Sequence, residues 1–160
     1  MFKAILCGLI MLGLMGPLNI LKAETSRVFK QQANAPMEKV YPAVYKALED
    51  ARFFVVLEPV ISDNLQRFAE RWGDNYNRNQ LSSIRSMVFC NAWYANEVSN
   101  ADPDMLALCP LRIGLYEKQG NTYVVFARPS VIAASSPAKK VILEAEQDVI
   151  KAIKAGLKGF

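Results

Sequence analysis

The chain has 160 residues, enough for one domain with its own core and too few for two of ordinary size. Hydrophobic residues make up 52% and charged residues 21%, which excludes a disordered or collagen-like chain. The net charge is only +4, and there is no histidine, an absence that removes Ser-His-Asp and Cys-His catalysis, histidine-ligated haem and mixed zinc sites.

Met1 to Ala23 reads as a secretory signal peptide. Lys3 supplies the positive start, Ala4 to Met15 is an uncharged apolar run, and Ala23 is a small residue at the expected cut. An uncleaved anchor is the rival, since Ala4 to Leu21 approaches the ~20 residues that span a bilayer. Asn19 and the Gly16-Pro17 break speak against it. Cleavage implies a periplasmic or secreted protein with no stable membrane span. It also removes Lys3 and Lys22, so the net charge falls from +4 to +2, and nucleic acid is excluded as a partner for want of clustered positive charge. Cys7 leaves too, and Cys90 and Cys109 remain.

Residues 24–35 form a polar, flexible lead-in with a short strand at Arg27 to Gln31, and residues 36–160 form a single α+β domain. Pro36 suits the first turn of a helix. Met37, Val40, Tyr41, Val44 and Leu48 then give it one apolar face, with Pro42 either kinking it or marking its true start. Phe53 to Leu57 reads as a buried strand. Ser62 or Asp63 caps a second helix carrying Leu65, Phe68, Ala69 and Trp72, which Gly73 ends. Asp74 to Ser83 is a loop, Ile84 to Cys90 a strand and Ala92 to Val98 a short helix. Asp102-Pro103 marks a turn or helix start. Leu111 to Glu117 and Tyr123 to Ala127 are strands joined by a turn through Gly120.

A long amphipathic helix closes the chain. Its stripe of Ile142, Ala145, Val149, Ile150, Ile153 and Leu157 opposes Lys140, Lys151, Lys154 and Lys158, which make a solvated face. Together these elements predict a two-layer α+β domain, with a mostly antiparallel sheet and helices packed on one face.

The unusual residues gather around the two cysteines. Cys90 ends a strand and Cys109 precedes the next. If those strands are antiparallel neighbours the cysteines meet at one end of the sheet. If the strands are parallel, the cysteines lie too far apart for a disulfide, which needs Cα atoms within about 7 Å. A Cys90–Cys109 disulfide, two inert thiols and a functional thiol pair all stay open. No CxxC or MxxM spacing exists, and no metal or other cofactor is expected. A soft-metal site of the thiolates with Met87 or Met105 is the single alternative, suited to Cu(I). A reactive thiolate needs a neighbouring cation or a helix N-terminus; Cys90 precedes a candidate helix, and Arg85 and Arg112 are the cations near the cysteines in sequence. Trp93 and Tyr94, with Trp72 and Tyr76, are candidate pocket aromatics, though aromatics of this kind more often fill a core.

The succession Cys90-Asn91, Asp102-Pro103, Cys109-Pro110, Tyr116-Glu117 and Pro129 resembles the domain-of-unknown-function 302 family, as does Phe53-Phe54-Val55 after the first helix. The likeness runs from about Val40 to Ile153. Arg52 stands in place of the family's glycine, Ala92 follows Cys90-Asn91 where the family has proline, the order Cys109-Pro110 is inverted, and Arg128 replaces an acidic residue. The resemblance implies a compact α+β fold, often a homodimer, and no established activity.

No catalytic residue is assigned. The functional expectation is a non-enzymatic, exported binding or accessory domain. Its small ligand or exported protein partner would sit near Cys90, Asn91, Trp93 and Cys109, with Arg112 and Arg128 as further contacts. The alternative is a thiol-redox or sulfur-transfer protein using Cys90 and Cys109.

Overall fold

The computed structural model describes residues 26–160, and the signal peptide expected at Met1 to Ala23 lies outside the described residues. Five strands, β1 (Val28–Ala33), β2 (Phe54–Leu57), β3 (Ser83–Cys90), β4 (Leu111–Lys118) and β5 (Asn121–Ala127), pair in the order β1-β5-β4-β3-β2. Every pair is antiparallel. The helices are α1 (Met37–Asp50), α2 (Ile61–Gln66), α3 (Ala69–Trp72), α4 (Ala92–Ala101), α5 (Pro129–Ile132) and α6 (Lys139–Gly156). Among the described residues no helix is long and apolar enough to cross a membrane.

Period-two alternation turns Met87 and Phe89 of β3, Ile113 and Leu115 of β4, and Val124 and Phe126 of β5 to one face, where all are buried. Val40, Val44 and Leu48 of α1 and Val149 and Ile153 of α6 meet them there. Each such side chain stabilises the fold by roughly 1.5–3 kcal/mol through burial.

Helix α1 runs through Pro42 and starts at Met37, ahead of the proline. Pro36 precedes it and offers no side-chain cap. Glu117 of β4 does this work instead: its Oε2 accepts the Met37 N–H at 2.7 Å, and its Oε1 accepts from Ser82 Oγ at 3.0 Å. A carboxylate here satisfies an orphan N–H and opposes the positive end of the helix.

The structure departs from the sequence-based expectations at four places. The lead-in carries the strand expected at Arg27 to Gln31, but β1 runs on to Ala33, pairs along its whole length with β5 and buries Ala33. Strand β2 is an edge rather than a buried strand: Phe53 ahead of it is fully buried, while Phe54, Val56 and Leu57 are exposed. The single helix expected from Ser62 to Trp72 is two short pieces. Val60 bridges to Arg85 and forces the start to Ile61, before Ser62 or Asp63 can cap. Phe68 and Trp72 stack on each other at 5.3 Å on the surface, so no core face sustains the helix. Finally, the β4–β5 turn is tighter than expected. Lys118 pairs with Asn121, leaving Gln119 and Gly120 alone in the loop, both at positive φ as a two-residue hairpin favours.

Helices α1 and α6 touch backbone to backbone. A Cβ built on Gly156 would lie 2.8 Å from Val44 Cα and 2.9 Å from Ala43 O. Gly156→Ala should therefore lower stability by about 1–3 kcal/mol through overpacking, against the ~1 kcal/mol that helix propensity alone would add. A urea midpoint equal to or above that of the parent would show that the helices do not pack this closely. Arg52 presents the opposite case, with φ of 63° at the turn between α1 and β2. A side chain there costs about 1–2 kcal/mol, only partly offset by glycine's greater freedom in the unfolded chain, so Arg52→Gly should raise stability by about 0.5–1 kcal/mol. A lowered thermal midpoint would contradict that.

Candidate functional site

The antiparallel pairing of β3 with β4 sets Phe89 opposite Leu111. Cys90 follows the first and Cys109 precedes the second by two positions, so both leave the ladder at the same rim. Asn91 turns the chain there: it caps α4, its Oδ1 accepting the Tyr94 N–H at 3.2 Å. The return path is a 3₁₀ helix over Pro103–Leu108, capped by Asp102, whose Oδ1 accepts from the Asp104 N–H and whose Oδ2 accepts from Ser136 Oγ. A cis peptide bond joins Cys109 to Pro110.

Between these segments and α6 lies a half-enclosed cavity of about 30 Å³. Cys90, Asn91, Cys109 and Met105 share its wall with apolar side chains, among them Phe53, Tyr94, Val98 and Ile142. Tyr94 closes one side by stacking on Phe53 at 5.9 Å and donating its hydroxyl to Asp148 Oδ2 of α6 at 2.6 Å. Burial, with the Asp148 carboxylate beside it, pushes the Tyr94 phenol up to about 12.

Cys90 and Cys109 are both half-buried free thiols, not the disulfide that the sequence left open. The ladder, the Asn91 cap and the Asp102–Ser136 contact already close the intervening loop without a covalent link. Burial pushes the Cys109 thiol up, and the neighbouring Cys90 pushes it the same way. Neither arginine near these cysteines in sequence reaches the cavity. Arg85 stacks on the Tyr41 ring at 3.5 Å and faces Glu58 at 4.0 Å. Arg112, opposite Val88 in the ladder, is exposed beside a shallow depression of about 260 Å³ shared with Ser86 and Gly114.

The remaining candidates disperse. Trp93 is 66% exposed on the outside of α4. Arg128 donates from Nη1 to Glu146 Oε1 at 2.7 Å, and the Ser130 N–H donates to Oε2 at 3.0 Å. That pair fastens Pro129, itself on the cavity wall, to α6. Sequence reasoning missed Glu146, which is buried within the apolar stripe. Its place four residues after Ile142 and three before Val149 was the available signal.

A roomier crevice of about 700 Å³ runs between α1 and α6. Its floor is Ala43, Ala47, Ala152 and Gly156, the small residues that the close helix contact requires, and Lys46, Asp50, Asp148 and Lys151 line its lips. It is open, Lys158 brings its charged side chains to three lysines against two aspartates, and among the described residues no cysteine lines it. The smaller cavity is the better site candidate because unusual chemistry converges there.

The model of a family described as "Domain of unknown function DUF302" matches residues 29–156. A solved structure, that of the uncharacterized conserved protein DUF302 from Bacillus stearothermophilus, superposes with a TM-score of 0.69 at 15% identity, covering 81% of this chain and 97% of that one. At that identity the likeness shows the fold. No curated protein matches the chain.

The raised Cys109 thiol makes stability depend on pH. The unfolded chain releases this proton near the ordinary thiol value of 9.0, and the folded chain only above it. Its contribution is present below that value and is lost as pH rises through the folded one. The parent should lose more unfolding free energy than Cys109→Ala as pH is raised past 9.0. Parallel pH profiles for the two proteins would contradict the burial of this thiol.

Proposed function

The chain belongs to the DUF302 family, and from that premise we propose that it is an exported, non-enzymatic binding or accessory domain whose ligand site is the thiol-lined cavity at the β3–β4 rim. The observation that carries this reading is convergence: both cysteines and the Asn91 cap share one half-enclosed apolar wall. Export rests on the sequence of Met1 to Ala23. The thiol-redox and sulfur-transfer alternatives require a thiolate near neutral pH; burial pushes Cys109 the other way, and among the described residues no Lys or Arg lines the cavity, which leaves the start of α4 beside Cys90 as the positive influence there.

A partner protein, or a second copy of the chain, would engage a different region. Strand β2 ends the sheet and exposes Phe54, Val56 and Leu57. Glu49 guards part of this edge, its Oε1 accepting the Val55 N–H at 2.8 Å.

Native mass spectrometry of protein expressed with its own leader tests the reading. The expected species lacks the first 23 residues and carries a non-covalent adduct that slows alkylation of Cys90 and Cys109. An unprocessed chain would remove the export claim. A processed, adduct-free chain whose thiols alkylate equally fast with and without added cell extract would remove the binding claim.

A further inference from the structure

The size of the cavity restricts what it can hold. About 30 Å³ is room for one water-sized occupant, and an organic ligand would have to displace Tyr94 from both Phe53 and Asp148. Chemistry narrows the choice further. The Asn91 side-chain oxygen already accepts from Tyr94, and most of the wall is carbon and sulfur. A water needs two to four polar partners, and hard cations need several oxygens. Among the described residues no group of three or more His, Cys, Asp or Glu side chains stands ready for a metal, which disfavours a zinc-type ligand set.

Among the described residues three sulfur-bearing side chains line the cavity. Met37 and Met87 are buried in the main core, whereas Met105 lines the cavity with both cysteines. Two thiols and a thioether form a soft donor set, and soft donors select soft monovalent ions.

Deepening the binding function above, and resting on it, we propose that the cavity is a Cu(I) site whose donors are Cys90 Sγ, Cys109 Sγ and Met105 Sδ. On binding, both thiols give their protons to solvent and three metal–sulfur bonds form. Copper enters and leaves as Cu(I), with no electron transferred. Two thiolates and one Cu(I) leave a single negative charge, and α4 opens two residues after Cys90, so its positive end lies next to that charge. The 3₁₀ helix that carries Met105 is pinned by the Asp102 cap and by Ser136, which holds the thioether against the rim.

Met105 also packs on the small cluster of Val98, Ala133, Ala138 and Ile142. Packing alone would be served equally well by leucine, and the test separates the two roles. The reduced full chain is titrated anaerobically with Cu(I) against a chromogenic Cu(I) chelator. One equivalent should be retained, with only sulfur neighbours in its X-ray absorption spectrum. Ag(I) should compete for the site and Zn(II) should not. Cys90→Ser and Cys109→Ser should each weaken retention by about 100-fold or more, and Met105→Leu by about tenfold with an unchanged urea midpoint.

Complete loss of copper from the parent to the chelator would overturn the assignment, as would undiminished retention by the double cysteine variant. If copper is not retained while the native protein still carries an adduct that slows alkylation at Cys109, the metal assignment falls and the binding reading stands. If neither is seen, both fall.

Discussion

The register that sets Phe89 opposite Leu111 is the constraint on which the rim depends. Antiparallel neighbours bring the exit of one strand and the entry of the next to the same end of a sheet, so residues far apart in sequence become neighbours there. Cys90 and Cys109 are such residues. The register is in turn held by burial, since a one-residue slip of β3 would turn Met87 and Phe89 away from α1 and α6 and bring Ser86 and Val88 to the core.

Contacts elsewhere in the fold keep that sheet covered. Glu117 ties β4 to the start of α1, and Gly156 lets α6 lie directly against the backbone of α1. The Arg128–Glu146 pair then joins the end of β5 to α6 beside the cavity. Glu146 is almost fully buried, and losing one partner of such a pair strands a charge at a cost of several kcal/mol. An arginine before Pro129, which reads as a departure from the family pattern, is thus matched by an acid on the facing helix. The rim that results is apolar, and burial there pushes the Cys109 thiol up.

Much of this was legible in the sequence where one physical signal dominated. The stripes of α1 and α6 appear as residues 3.6 apart, and the Gln119-Gly120 turn is marked by flanking β-rich runs. What stayed hidden depended on neighbours. Phe53 to Leu57 has the composition of a core strand, yet whether a strand is central or an edge is decided by what pairs with its far side. Phe68 and Trp72 sit at helical spacing, yet they find each other rather than a core. Of the six candidate site residues, Cys90, Asn91 and Cys109 share the cavity. Trp93 and Arg112 point elsewhere, and Arg128 is held by Glu146, because nearness in sequence does not fix the side of a helix or strand on which a residue emerges.

The most direct measurement is the reaction of the reduced protein with a monosubstituted arsenical, which forms a stable adduct only by bridging two neighbouring thiols. If Cys90 and Cys109 share one cavity wall, a single arsenic should bind per chain, both thiols should disappear from titration together, and substituting either cysteine should abolish the adduct. Two thiols that remain fully titratable, or that bridge only between separate chains, would contradict the account.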